Sequence, residues 1–218
     1  MLHVIISVSN PAHFTRRVEL TRQFVERIEG REPLVRLYIA EIVYGDDATF
    51  QYTEPNHPRH LQLRSPHALW HKENSINLAV RKLLPSDWRV MAWVDADIEF
   101  LSPTWAADTL ALAGTTFDVL QLFDICDDMD IDGSSMGLTG SAGYRAARRL
   151  PYLGHTKSKS ADYSHPGYAW AITRPWYGMS ASAGSLKSPS WVAAIGSCAS
   201  RSSAPRKSCA TKGTGRRT

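Results

Sequence analysis

Val90-Met91-Ala92-Trp93-Val94-Asp95-Ala96-Asp97-Ile98-Glu99-Phe100 is the stretch on which the fold turns. A short apolar run rich in β-branched and aromatic residues predicts a buried strand, and this one stops in two carboxylates one residue apart. Side chains alternate along a strand, so an extended backbone through Asp97 would point Asp95 and Asp97 the same way. Two like charges so placed repel unless a cation lies between them or water solvates them. The stretch therefore predicts a strand that presents a metal site at its carboxyl end.

On either side the chain alternates between strand and helix signals. Leu2 to Val8 is a β-rich run closed by the turn formers Ser9-Asn10-Pro11. Phe14, Val18, Leu20, Phe24, Val25 and Ile28 recur at helical spacing and predict an amphipathic helix that stops at Gly30. Leu34 to Tyr44 predicts the next strand, with Gly45-Asp46-Asp47 as its turn and Leu61-Gln62-Leu63 as a further short strand. Trp70 to Leu84 reads as a helix ended by Pro85, and Thr104 to Ala113 as another. Asp118 to Phe123 and Tyr168 to Thr173 are the later strands.

Strand, helix, strand, helix, strand is the pattern of an α/β domain with a mostly parallel central sheet. Ligands of such sheets bind beyond the carboxyl ends of the strands. Three of those ends are polar here, Ser9-Asn10, Gly45-Asp46-Asp47 and Asp95-Ala96-Asp97, and are expected to line one pocket. No GxGxxG follows the first strand and no GxxxxGK[ST] occurs, which argues against a nicotinamide-type site and a P-loop. The phosphates of a nucleotide would then meet the protein through a divalent ion on Asp97.

Composition narrows the class. The chain has 218 residues, 43% of them hydrophobic, enough for one sizeable core. The formal net charge of +4 is unevenly spread: residues 1–162 carry −4, and the remainder carries +8 with no acidic residue. A mildly acidic body lacks the basic face of a nucleic-acid reader, so no nucleic-acid partner is expected. No run reaches the roughly 18 apolar residues of a membrane helix, and Leu2–Val8 lacks a basic leader and cleavage site, so no membrane span and a cytoplasmic location are expected. Cys126, Cys198 and Cys209 have no ligand spacing and read as reduced thiols.

Val94-Asp95-Ala96-Asp97, placed after an N-terminal βαβ unit, resembles the DxD motif of metal-dependent glycosyltransferases of the GT-A fold. Three segments in order, Ala68-Leu69-Trp70-His71-Lys72-Glu73-Asn74, Trp93 to Phe100 and His165-Pro166-Gly167-Tyr168-Ala169-Trp170-Ala171, are similar to small glycosyltransferases of large algal DNA viruses and some microbial relatives. The resemblance spans residues 1–178 and implies a Rossmann-like single domain of the GT-A type. It implies transfer of a sugar from a nucleoside diphosphate sugar, a UDP sugar first, to a hydroxyl of a glycan or other acceptor. In that scheme Ser9, Asn10 and Asp46 or Asp47 hold the nucleoside, Asp95 approaches the ribose or sugar, and Lys72 meets the diphosphate or a donor hydroxyl. Asp97, with Asp95, holds Mn²⁺ or Mg²⁺. His165, Tyr168 and Trp170 are the expected sugar or acceptor contacts, through the aromatic faces in particular. Glu99 reads as a surface residue.

Asp128, Asp130, Asp132 and Gly133 match the opening of a calcium loop, but Thr139 stands where its last Glu belongs, so this acid-rich segment reads as a solvated loop that could face the acceptor. Relatives are expected to continue after the HPGYAWA segment with a helix and a Gly-Asp-His-His type segment carrying the late metal ligand and a catalytic carboxylate. Residues 179–218 hold no such segment and turn into a basic Ser/Ala/Gly-rich sequence, which reads as disordered or frame-shifted. No catalytic base is assignable. The alternative is a non-catalytic nucleotide-sugar binding remnant. A nucleotidyltransferase would show a Gly-rich, basic loop after the first strand, and Ser7-Val8-Ser9-Asn10-Pro11 is neither.

Overall fold

The computed structural model describes residues 1–148 and 164–182. Six strands form the central sheet: β1 (Leu2–Val8), β2 (Val35–Tyr44), β3 (His60–Ser65), β4 (Val90–Val94), β5 (Val119–Gln121) and β9 (Ala169–Thr173), in the order β3-β2-β1-β4-β9-β5. β1 pairs in parallel with both β2 and β4, and β2 with β3. β9 runs antiparallel between β4 and β5. The expected α/β domain with a mostly parallel sheet is thus the observed one, with one reversed strand.

Period-two alternation assigns each strand residue to a layer. Leu2, Val4, Ile6 and Val8 face α1 (Thr15–Arg31) and α3 (Trp105–Leu112), where Phe24, Ile28, Trp105 and Ala106 close one core. Ile5, Tyr38 and Met91 face the other side, against Ile76, Ala79 and Val80 of α2 (Lys72–Leu83) and Trp176 and Tyr177 of α5 (Arg174–Ser182). Covered on both faces, the strands can be as uniformly apolar as their sequences are.

Several boundaries differ from the sequence expectation. α1 does not stop at Gly30 but includes it, ending at Arg31. β4 ends at Val94, and Ala96 and Asp97 lie in a turn, so the two carboxylates are not set by strand alternation. The acid-rich segment is a hairpin, β6 (Ile125–Met129) with β7 (Ser135–Ser141), extended by the short β8 (Ser164–His165) and followed by α4 (Ala142–Ala147). Its turn is held by Asp132, whose Oδ1 accepts from the Ser134 N–H at 2.9 Å and the Ser134 hydroxyl at 2.6 Å. A hairpin whose Asp130 and Asp132 accept from the backbone of their own turn is not the helix-flanked loop of a calcium site. α5 continues through Gly178 to Ser182, and the tail from residue 183 lies outside the described residues.

Glu41 and His3 are among the polar residues buried in this frame. Glu41, 2% exposed in β2, accepts from Gln51 N at 2.6 Å, Tyr52 N at 3.0 Å and Thr53 Oγ1 at 2.6 Å, fastening the loop after β2. His3 Nδ1 shares a 3.0 Å hydrogen bond with Tyr38 Oη. Burial first, then the Arg36 charge, lowers the His3 pKa below 6.5. The unfolded chain therefore takes up a proton there before the fold does, so this contribution is fully present above pH 6.5 and is lost as pH falls below it. We expect the melting temperature of His3→Gln to fall less between pH 7 and pH 5 than that of the parent, a slope difference of at most about 1.4 kcal/mol per pH unit. Parallel melting curves for the two proteins over that range would refute it.

Candidate functional site

From β1 the chain steps to β2 and β3 on one side, then returns to place β4 on the other. The loops leaving β1 and β4 consequently diverge and open a crevice at their carboxyl ends. Ser9 and Asn10 follow β1, Asp95 and Asp97 follow β4, and Lys72 opens α2 at the same edge. Because β9 is antiparallel, its lead-in His165-Pro166-Gly167-Tyr168 also arrives at this edge. One switch point thus gathers residues from four separate segments.

Lys72 Nζ forms an ion pair with Asp95 Oδ1, both side chains roughly a quarter exposed. The Asp95 N–H donates to the Tyr168 carbonyl at 2.8 Å, which fixes the start of the loop after β4. Asp97 stands open to solvent on its turn. Crowding of its carboxyl by the protein, followed by the negative charge of Asp95, raises its pKa, while Arg17 and Lys72 lower it. The residue is exposed although the protein crowds one side of its carboxyl, which leaves the carboxylate within reach of a cation in solution. Arg17, which sequence reading passed over, donates to the Ser9 carbonyl at 3.1 Å and sets a second positive charge near Asp97.

The other wall is a strained, stacked unit. Tyr168 has φ +70°, a left-handed conformation that a bulky side chain adopts only when its surroundings impose it. Its ring stacks on His165 with centroids 3.8 Å apart and planes 1° from parallel, and its hydroxyl donates to Asp128 Oδ1 at 2.7 Å. Burial and that carboxylate push the Tyr168 pKa far up, so the phenol keeps its proton. His165 Nδ1 accepts from Gly167 N at 3.0 Å, which places the neutral imidazole's proton on Nε2. Burial lowers the His165 pKa, against raising charges on Asp128 and Asp95. Gln121 binds the turn from β5, its Nε2 donating to the His165 carbonyl at 2.9 Å and its Oε1 accepting from Gly143 N at 2.9 Å.

Gly167 is required here for space. A Cβ on it would lie 2.8 Å from His165 Cε1, and the stacked ring cannot swing away without losing Tyr168. Gly167→Ala is expected to destabilise the fold by about 1–3 kcal/mol, the usual cost of overpacking. Equilibrium urea unfolding measures it, and an unchanged midpoint would show that the ring moves freely.

The other expected residues are placed less favourably. Asn10 holds the approach to α1, its side chain bonding the Phe14 backbone at 2.9 and 3.1 Å. Asp46 and Asp47 are exposed beyond β2, which outruns β1: Val8 pairs with Glu41, so Tyr44 stands three residues, about 10 Å, further on. No hydrogen bond or ion pair among the described residues ties them to the Asp95 cluster, which draws on the ends of β1 and β4, the start of α2 and the β9 lead-in. Trp170 is 3% exposed, stacked 6.5 Å from Trp93 within the sheet layer, and presents no face to a sugar. Glu99 pairs with Arg27 at 3.4 Å on the surface. Among the described residues no three His, Cys, Asp or Glu side chains converge as a metal cluster. The donor set fits instead a Mg²⁺-type ion held by one or two carboxylates, with phosphate oxygens and water completing its shell.

No protein-family model matches the chain, and no curated protein matches it. Among solved structures, a protein described as a nucleotide-diphospho-sugar transferase from Desulfovibrio desulfuricans G20 is similar at 11% identity and a TM-score of 0.44, over 91% of this chain and 76% of that one. The 4-diphosphocytidyl-2C-methyl-D-erythritol synthase from Anaerococcus prevotii DSM 20548 is similar at 12% identity and a TM-score of 0.41, over 89% of this chain and 83% of that one.

Proposed function

We propose that the β1/β4 crevice binds a nucleoside diphosphate sugar, a UDP sugar first, and that the protein is a glycosyltransferase acting on an acceptor hydroxyl. The observation that carries this reading is the Lys72–Asp95 pair beside the exposed residue Asp97 at the switch point of the sheet. Lys72 and Arg17 supply positive charge for a diphosphate. Asp95, oriented by Lys72 and by its backbone bond to Tyr168, accepts hydrogen bonds from ribose or sugar hydroxyls. Mn²⁺ or Mg²⁺ held by Asp97, with Asp95, would neutralise charge on the leaving diphosphate. His165, held in place by Gly167 and Tyr168, would contact the transferred sugar or its acceptor on this wall of the crevice.

A nucleotide-sugar binding domain without turnover is the second reading: Asp95 is already paired with Lys72, and transfer also needs a base. Incubation of the full chain with a panel of UDP and GDP sugars and Mn²⁺ separates the two. Release of nucleoside diphosphate supports the transferase; cation-dependent binding without release supports the binding domain. If neither occurs, the donor site is misassigned.

A further inference from the structure

The β6/β7 hairpin has two unlike faces. Cys126 and Asp128 turn toward the site, where Asp128 accepts from Tyr168. Ile125 and Leu138 alternate with them on the outer face, and Met129 and Met136 follow beyond a register shift at Asp128/Met129; Ile125, Met129, Met136 and Leu138 are 53%, 57%, 70% and 71% exposed, with Ile131 at the tip 79% exposed. Large apolar side chains this exposed on one hairpin mark an interaction surface. The hairpin is also strongly acidic: Asp124, Asp127, Asp128, Asp130 and Asp132 lie in a stretch, residues 118–144, without a Lys or Arg. A partner for it must be basic and must bring apolar side chains.

The chain itself contains a segment of that description. Residues 183–218 carry seven Lys and Arg and no Asp or Glu, and include the apolar run Trp191-Val192-Ala193-Ala194-Ile195. We propose that this C-terminal segment docks on the outer face of the β6/β7 hairpin, Trp191 and Ile195 against the exposed apolar residues and the flanking cations against the aspartates. Trp191 follows the end of α5 by nine residues, a reach of up to about 30 Å in extended chain. Attraction between the two charge sets brings them together, and apolar burial fixes the contact. The inference is independent of what the β1/β4 crevice binds.

Zero-length carbodiimide cross-linking of the full chain, read by peptide mass spectrometry, tests it. The expected products are monomer-mass links from Lys187, Lys207 or Lys212 to the hairpin aspartates. Both Met136→Ser/Leu138→Ser and, separately, Trp191→Ala should cut those links by at least about fivefold. Trp191→Ala leaves the described fold untouched, so its result stands even if the hairpin variant is disturbed. Salt of about 0.5 M should weaken the links as well. The proposal is overturned by dimer-mass links, which would make a second copy the occupant. It is equally overturned by lysine links spread evenly over other acidic surfaces, or by yields that neither apolar variant changes.

Discussion

Glu41→Ala should lower the melting temperature by on the order of 10 °C, the largest effect on stability expected of any side chain described above. Glu41 is almost fully buried, and its carboxylate is the acceptor for two backbone N–H groups and the Thr53 hydroxyl. A buried carboxylate is tolerated when its oxygens are this well bonded, and removing one side of such an arrangement costs about 3–5 kcal/mol because the other side is left unpaired. Gln51 N, Tyr52 N and Thr53 Oγ1 would be stranded over a cavity. Glu41→Gln should cost less than alanine, since one acceptor survives while the new amide N–H₂ opposes a donor. Calorimetry of the three proteins gives the order directly, and a loss below about 1 kcal/mol for alanine would mean that water replaces the carboxylate.

The second large effect separates function from stability. Asp97→Asn should abolish cation-dependent donor binding and, where transfer occurs, reduce turnover by about 100-fold or more. It should not weaken the fold. Asp97 is crowded by protein and repelled by Asp95, so neutralising it removes an unfavourable interaction; exposed charges exchange little energy, and the gain stays below about 1 kcal/mol. Asp95→Asn differs, because it strips Lys72 of its partner. Comparing the two variants by nucleotide binding and by melting temperature tests the division of roles. A destabilised Asp97→Asn with intact binding would reverse it.

The parallel frame was legible because its strands are short apolar runs separated by helical periodicity, and β1, β2, β4 and β9 fall where those signals lie. The Asp95-Ala96-Asp97 end was legible for the same reason, since polar residues interrupting a buried strand mark its carboxyl edge. Its geometry was not, because the turn at Ala96 and Asp97 is set by tertiary contacts such as the Asp95 to Tyr168 bond. Trp170 misled through its composition: an aromatic pair reads equally as a sugar platform or as a core pair, and only the Trp93 register decides. Glu41 had a signal that went unused, a lone acid inside Tyr38-Ile39-Ala40-Glu41-Ile42-Val43-Tyr44, where a charge must find partners. Arg17 and Gln121 had none, since both act through backbone carbonyls that only the fold brings near. The acidic hairpin showed its charge in the sequence but not its pairing, as Gly133 in the left-handed region closes a turn that resembles a cation loop in one dimension.

Calorimetric titration of UDP into the full chain, with Mn²⁺ and again with a chelator, tests the β1/β4 site most directly. Binding with Mn²⁺ that disappears on chelation and in Asp97→Asn is the predicted result. Binding that ignores both the cation and Asp97, or no binding of UDP or GDP under either condition, would contradict a nucleotide-sugar site at the end of β4.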